Sequence, residues 1–312
     1  MRVFVAGATG VIGRRLVPML VDHGHEVSGI TRSTEKAGAL RAMGAAPAIC
    51  DVFDAGEVLQ TVVRAAPEVV VHELTDLPPN IDPRRSAAQL ERNDRIRDVG
   101  TRNLVDAALA AGARRVVAQS VAFAYEMSGE GQKTETDSLY DDAPEPWARS
   151  VRAVRALESA VTDTEGIDGV ALRYGFFYGP GSSYAADGYW AEQVRRRRFP
   201  IVGRGNGIFS FIHVDDAAAA TVAAVERGAP GIYNVVDDEP APLREWLPAY
   251  AEALGAKKPW RVPRFVARMV GGDYAVLMAT ALRGASNERA KDVLGWQPAH
   301  PSWRQGFRES LG

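Results

Sequence analysis

A glycine turn lies seven residues from the start of the chain, and few folds can accommodate it. Gly7-Ala8-Thr9-Gly10-Val11-Ile12-Gly13 follows a short apolar run at residues 3–6. It precedes a segment in which Ile12, Leu16 and Leu20 recur at helical spacing. The pattern is a buried parallel strand feeding a helix through a tight turn. Glycines there let the backbone bend sharply and approach a pyrophosphate closely. The exposed amides and the helix dipole then stabilise the negative charge. The spacing is GxxGxxG rather than GxGxxG, and its weight comes from the strand–turn–helix setting. Gly7, Thr9, Gly10, Val11, Ile12 and Gly13 are the candidate phosphate-binding residues.

Strand and helix patterns then alternate. Residues 26–31, 47–50, 68–72, 115–119 and 169–173 read as strands, and 35–43, 55–65, 89–111 and 149–162 as helices. The run Val69-Val70-Val71 is β-branched, as a buried strand prefers, and Gly112 closes the long helix. Such alternation predicts an α/β fold, a Rossmann-like doubly wound parallel sheet with helices on both faces. Past Tyr174 the regularity fades, and glycine, proline and tryptophan become frequent. Residues 1–173 are therefore expected to form the dinucleotide-binding domain. Residues 174–312 are expected to form mostly a small C-terminal substrate lobe, with 208–240 returning to the first domain through a strand at 231–236.

The end of the second strand discriminates between cofactors. An NAD site places an acid there for the ribose 2′-hydroxyl. Here the strand ends Ile30-Thr31-Arg32-Ser33, with no acid before Glu35. The Arg32 guanidinium and the Ser33 hydroxyl suit a 2′-phosphate, so the expected cofactor is NADP(H), with NAD(H) the poorer fit. The formal net charge is -2, which points to no nucleic-acid or membrane-surface partner. The local run Arg195–Arg198 reads as a solvated helix end. Cys50 is the single cysteine, and the five histidines are scattered without ligand spacing, so no disulfide framework and no metal site is expected. The chain opens directly on a strand-like run with no long apolar stretch, which predicts a cytoplasmic protein.

On these and further segments the chain resembles the extended short-chain dehydrogenase/reductases, also called NAD-dependent epimerase/dehydratases. The similar segments are Cys50-Asp51-Val52-Phe53-Asp54, Val69-Val70-Val71-His72 and Gly100-Thr101-Arg102-Asn103-Leu104. Further along come Leu172-Arg173-Tyr174-Gly175-Phe176-Phe177-Tyr178-Gly179-Pro180-Gly181, Phe211-Ile212-His213-Val214-Asp215-Asp216 and Leu294-Gly295-Trp296-Gln297-Pro298. The resemblance implies that Asp51 and Val52 hold the adenine end. It also implies that Leu74, Thr75, Gln119, Tyr174, Phe176 and Phe177 bind the cofactor, the segment that holds the last three passing the nicotinamide.

One departure matters more than these matches. The family's acid–base pair is YxxxK, in which the tyrosine moves the proton and the lysine lowers its pKa. The corresponding stretch here is Trp147-Ala148-Arg149-Ser150-Val151. An indole N–H donates but does not titrate usefully, and valine cannot do a lysine's work. The family's serine falls at Val121, with Ser120 one residue away. Some atypical reductases, the angucyclinone-type ketoreductases, resemble this chain in lacking the pair.

Ser120 and Tyr125 are then the candidate proton donors, since they lie at and beyond the end of the fifth strand. Trp147, Tyr178 and Trp190 are candidate walls of a substrate pocket. Three readings remain open. The first is an NADP(H)-dependent ketoreductase for a small or medium hydrophobic, aromatic carbonyl compound. The second is a redox-neutral sugar-nucleotide epimerase or dehydratase, with Arg195–Arg198 and Arg283 available to a diphosphate. The third is a non-catalytic sensor of NADP(H). Pairing of helices 89–111 and 149–162 between two copies would give a homodimer, an expectation drawn from the same relatives.

Overall fold

The computed structural model describes residues 1–78 and 86–311. The first half alternates as the sequence predicts. Its strands are β1 (Arg2–Ala6), β2 (Glu26–Thr31), β3 (Ala46–Ile49), β4 (Val69–His72), β5 (Arg115–Val121) and β6 (Asp168–Tyr174). Between them lie α1 (Gly13–Asp22), α2 (Thr34–Ala42), α3 (Ala55–Ala65), α4 (Ser86–Arg95), α5 (Thr101–Ala110) and α6 (Trp147–Thr162). A later strand, β11 (Gly231–Val235), pairs with β6. The sheet runs β3-β2-β1-β4-β5-β6-β11, and every pair is parallel. The strand order reverses between β1 and β4, and ligands of open α/β sheets bind beyond the strand ends at such a point.

Alternation along each strand fills both faces. Val3 and Val5 of β1 pack with Leu16, Val17 and Leu20 of α1. On that face α1 meets α8 (Val214–Glu226), whose inward residues are mostly alanines, so the two helices approach closely. Phe4 and Ala6 face the other way, against Val58 and Val62 of α3 and Leu104 and Ala108 of α5.

The helical pattern over 89–111 is not one uniform helix. A single π turn, Ile96–Gly100, separates α4 from α5. Gly100 of that turn lies where a Cβ would stand 3.3 Å from a Val52 methyl, and Asn103 donates its amide to the Val52 carbonyl at 2.8 Å. The wider turn thus coincides with a close backbone approach, a contact that periodicity cannot reveal.

The remaining elements are β7 (Phe176–Tyr178), α7 (Tyr189–Arg195), β8 (Ile201–Val202), β9 (Ile208–Phe209), β10 (Phe211–His213), β12 (Ala241–Pro242), α9 (Leu243–Ala253), β13 (Arg261–Val262), α10 (Arg264–Ala281), α11 (Glu288–Leu294) and α12 (Trp303–Leu311). Most of them enclose a second core rich in rings, including Tyr178, Tyr184, Phe211, Trp246, Tyr250, Trp303 and Phe307. The run Arg195–Arg198 closes α7: Arg196 pairs with Glu192 at 2.6 Å and Arg195 donates to the Ala186 carbonyl. Among the described residues, no helix is long and apolar enough to cross a membrane.

Candidate active site

The phosphate turn comes directly from local backbone needs. Gly7 adopts φ +95°, and a Cβ there would stand 2.5 Å from the Glu73 carbonyl carbon. The Gly10 amide closes the turn onto the Gly7 carbonyl at 2.9 Å. Helix α1 then begins without a side-chain cap and without an acid in its first turn. Among the described residues, the amides of Val11 and Ile12 donate to no acceptor. A bare helix start with free amides beside an exposed glycine is suited to an anion, so this cradle fits a dinucleotide pyrophosphate. The carbonyl of Thr9 accepts from Arg14 Nε at 2.9 Å. Arg15 fastens the turn to the far half of the chain: its Nε meets Asp215 at 2.6 Å and its Nη2 the Pro180 carbonyl at 2.7 Å.

The adenosine end is open and basic. Arg32 is exposed, and Ser33 caps α2 by accepting from the Lys36 amide. Thr31 accepts from the Ser33 amide at 3.1 Å and shapes the bend. Asp51 accepts from the Phe53 amide at 3.1 Å, and Val52 is held by Asn103. At the end of β4, Leu74 is half-buried and Thr75 exposed. Gln119 is half-buried on β5, opposite Leu172 of β6.

Two buried titratable groups flank this row. His72 Nδ1 accepts from the Leu74 amide at 3.2 Å, which leaves Nε2 carrying its proton toward Thr101 at 3.1 Å. Burial, with help from the Arg97 charge, holds this imidazole down at about 4. Glu73 lies on the opposite face. Burial pushes its carboxyl up to about 8, against a smaller opposing effect of the Tyr174 hydrogen bond. The Tyr174 hydroxyl stands between Glu73 (3.1 Å) and Thr221 (2.6 Å), while Thr221 donates to the Ala217 carbonyl. One phenol proton cannot serve both contacts, so a neutral Glu73 is the state in which all three oxygens are bonded.

The signs of the two shifts differ. Glu73 binds its proton more tightly when folded than at its ordinary 4.5. Its contribution to stability is therefore complete below that value and is lost as pH rises through about 8. His72 contributes above its ordinary 6.5, and its contribution is lost as pH falls through about 4. Of these two groups, only Glu73 acts between 6.5 and 8. Glu73→Gln is expected to remove the fall in thermal stability over that interval, read by unfolding scans at both ends. An unchanged difference between the two pH values would contradict the assignment.

The two candidate proton donors are committed elsewhere. Ser120 is 1% exposed, and its hydroxyl donates to Glu158 at 2.6 Å. Glu158 in turn receives a two-point contact from Arg173, at 2.7 and 2.6 Å. Tyr125 is buried and donates to Asn234 at 2.7 Å, with the Arg173 guanidinium 4.7 Å from its ring centre. Burial pushes its phenol up to about 12. In this arrangement the Ser120 hydroxyl ties β5 to α6, and the Tyr125 hydroxyl ties the segment after β5 to β11.

A row of rings crosses this end of the sheet. Phe176 and Phe123 stack at 4.5 Å, Phe123 and Trp147 at 6.0 Å, and Trp147 and Tyr274 at 4.6 Å. The row crosses the carboxyl ends of β5 and β6, the first turn of α6, and α10 of the lobe. Trp147 is buried and its Nε1 has no acceptor. Val151, one turn on, is fully buried in the same cluster. Phe177 lies against Tyr174 at 5.3 Å. Of the other expected pocket walls, Tyr178 lies inside the lobe core among Phe211, His213 and Phe307. Trp190 packs with Tyr184 and Phe199. Phe123, Tyr274 and Glu73 were not legible as site residues. Phe123 follows the strand by two positions, but Tyr274 lies far off in sequence and has no motif around it.

His213, Asp216 and His300 also gather closely. Asp216 accepts from the amides of Ala299 (2.8 Å) and His300 (2.9 Å), and the two imidazoles stack at 3.9 Å. These bonds make the group a joint that pins the C-terminal tail to α8.

Residues 3–235 match the sequence pattern of the family described as NAD dependent epimerase/dehydratase. A "3-diazoavenalumate denitrifying reductase" from a Streptomyces species is 48% identical over 309 residues, covering 98% of this chain and 99% of that protein. A "2-alkyl-3-oxoalkanoate reductase" from Stenotrophomonas maltophilia is 28% identical over 304 residues, 94% of this chain and 84% of that one. Among solved structures, a human epimerase family protein with NADPH superposes with a TM-score of 0.77 at 21% identity, covering 100% and 99% of the two chains.

Proposed function

The chain belongs to the NAD dependent epimerase/dehydratase family, and from that premise we propose that it is an NADP(H)-dependent reductase that replaces an aromatic diazo group by hydrogen, releasing dinitrogen. The oxidoreductase class and the nicotinamide cofactor are the firm part of this statement. The substrate reading is supported by Trp147 and Val151 at the positions where the acid–base pair is expected, together with the name of the 48% identical relative.

The chemistry explains why the pair is dispensable. When bound, the reduced nicotinamide supplies a hydride. A carbonyl that accepts a hydride becomes an alkoxide and needs a proton. An arenediazonium carbon that accepts a hydride forms one C–H bond while its C–N bond breaks, and the C–N electron pair departs with N₂. Two electrons enter, the nicotinamide is oxidised, and no proton is required.

The residues would then have binding and shaping roles. Gly7 to Gly13 hold the pyrophosphate, Arg32 and Ser33 the 2′-phosphate, and Asp51 and Val52 the adenine. The row Phe176–Phe123–Trp147 offers flat, electron-rich faces to a flat cation and keeps water away. The direct test supplies deuterated NADPH and an arenediazonium carboxylate to purified protein. Deuterium at the former diazo carbon, with matching N₂ release, is expected; cofactor oxidation without label in the arene would overturn the reading.

Carbonyl reduction is the second reading, favoured by the 28% identical oxoalkanoate reductase. It requires a proton from water or from the substrate's own phenol, and NADPH oxidation by ketones but not by diazonium ions would favour it.

Preference for NADP(H) over NAD(H) is carried by Arg32. Arg32→Ala is expected to weaken NADPH binding about tenfold to a hundredfold, the scale of a charge-assisted contact, and to leave NADH affinity unchanged. Equal losses for both cofactors in a fluorescence titration would place the 2′-phosphate elsewhere.

A further inference from the structure

Trp147 stands at the carboxyl end of the sheet, 5% exposed, on the first turn of α6. Among the described residues, its indole N–H is a buried donor without an acceptor. Such a group normally costs free energy unless something fills it. If the indole only filled a tyrosine's volume, a phenylalanine would serve without that cost.

The surroundings are built around this donor. Tyr274 stacks on the indole at 4.6 Å and 28°. Among the described residues, its hydroxyl makes no hydrogen bond. It follows Gly272, where α10 is interrupted by a left-handed backbone (φ 75°) that re-aims the helix. On the other side of α6, the π turn carries Arg97, 8% exposed. Arg97 lies 4.0 Å from Asp94, whose carboxylate also takes Arg149 at 3.2 Å and Ser150 at 3.0 Å. The neighbouring carboxylate is thus shared among three donors, and the Arg97 charge acts on Tyr274 as well. Burial holds the Tyr274 phenol well above its ordinary value, so that hydroxyl stays a donor. Two neutral donors, one of them deeply buried, suit an oxygen that carries negative charge.

We propose that the Trp147 indole N–H and the Tyr274 hydroxyl grip an acceptor oxygen of the substrate and thereby select aromatic substrates bearing a carboxylate or a ring oxygen. This rests on the reductase reading above but applies to either substrate class, because it concerns binding and not the reaction. Trp147 and Tyr274 act as specificity residues.

The test uses inert probes, so it does not depend on turnover. Binding of 4-hydroxycinnamate, cinnamate and 4-ethylphenol to the NADP⁺-loaded protein is measured by calorimetry for the native chain, Trp147→Phe and Tyr274→Phe. Each variant keeps a ring in the stack and removes one donor. A loss of about tenfold, the size of one hydrogen bond to a charged acceptor, is expected for probes carrying the gripped oxygen. If the loss is confined to the two cinnamates, the carboxylate is held; if confined to the two phenols, the ring oxygen is held. NADP⁺ affinity within twofold of native shows that both variants are folded. No binding of any probe to the native protein overturns the proposal, as does equal affinity in native and variants, or an equal loss for all three probes. Should the probes behave as expected while diazonium ions go unreduced, the reductase reading fails and the oxygen grip stands.

Discussion

Gly13→Ala is expected to strip the protein of its cofactor, lowering NADPH affinity by at least about a hundredfold, or roughly 2.7 kcal/mol. A Cβ at this position would stand 2.3 Å from the Gly7 carbonyl oxygen and 2.6 Å from two Ala8 backbone atoms. All three are backbone, so no side chain can swing aside. The first turn of α1 must lift off the glycine turn, which pulls the free amides of Val11 and Ile12 away from the phosphate position. The rest of α1 is anchored by Leu16, Val17 and Leu20, so the fold survives with a broken cradle. Gly38→Ala is the control, since nothing lies within 4 Å of that Cβ and alanine suits a helix interior. An affinity for NADPH within threefold of native in Gly13→Ala would show that the phosphate is bound elsewhere.

Glu158→Gln is expected to be the most destabilising isosteric change in the chain, at about 3–5 kcal/mol, the usual consequence of removing one partner of a buried ion pair. Glu158 and Arg173 are both nearly inaccessible, and Arg173 Nη1 already lacks an acceptor. The amide would keep the shape but leave the guanidinium uncompensated beneath Tyr125. It would also disturb Ser120, whose hydroxyl points at the same carboxylate. Adding Arg173→Met should recover much of the loss, because the stranded charge goes with it. Denaturant midpoints of the single and double variants decide this. A single variant within 1 kcal/mol of native would mean that the pair is solvated on a scale that its burial does not suggest.

Sequence reasoning succeeds here where a residue's role is set by its neighbours in the chain. Gly7, Gly10 and Gly13 form a turn because of local backbone geometry, and a glycine pattern between a strand and a helix expresses that directly. The valine runs of β4 and β5 announce burial on both faces in the same way. Trp147 and Val151 at the start of α6 are likewise read directly as residue identities. It fails where the partner is remote. Ser120 has the right type and nearly the right place for a proton donor, yet Glu158, thirty-eight positions on, captures it. Tyr178 lies in a glycine–proline segment that reads as part of a site, but its ring turns into the lobe core. Glu73 looks like a strand-end acid open to water, and only the fold reveals Tyr174 and Thr221 around it. The π turn leaves no mark on hydrophobic spacing, so the inward course of Arg97 could not be read.

The chain leaves the sheet from β6 and comes back to it at β11, and these two strands are hydrogen-bonded neighbours. Just beyond them, β7 and β10 run side by side in the same direction, Phe176 opposite Phe211. The outgoing and returning backbones are therefore laced into one narrow strap about 4.8 Å wide. The backbone that carries Phe176 out of the sheet is thus set by main-chain bonds against the strand that brings Phe211 back, so the ring row starts from a position fixed by the sheet itself.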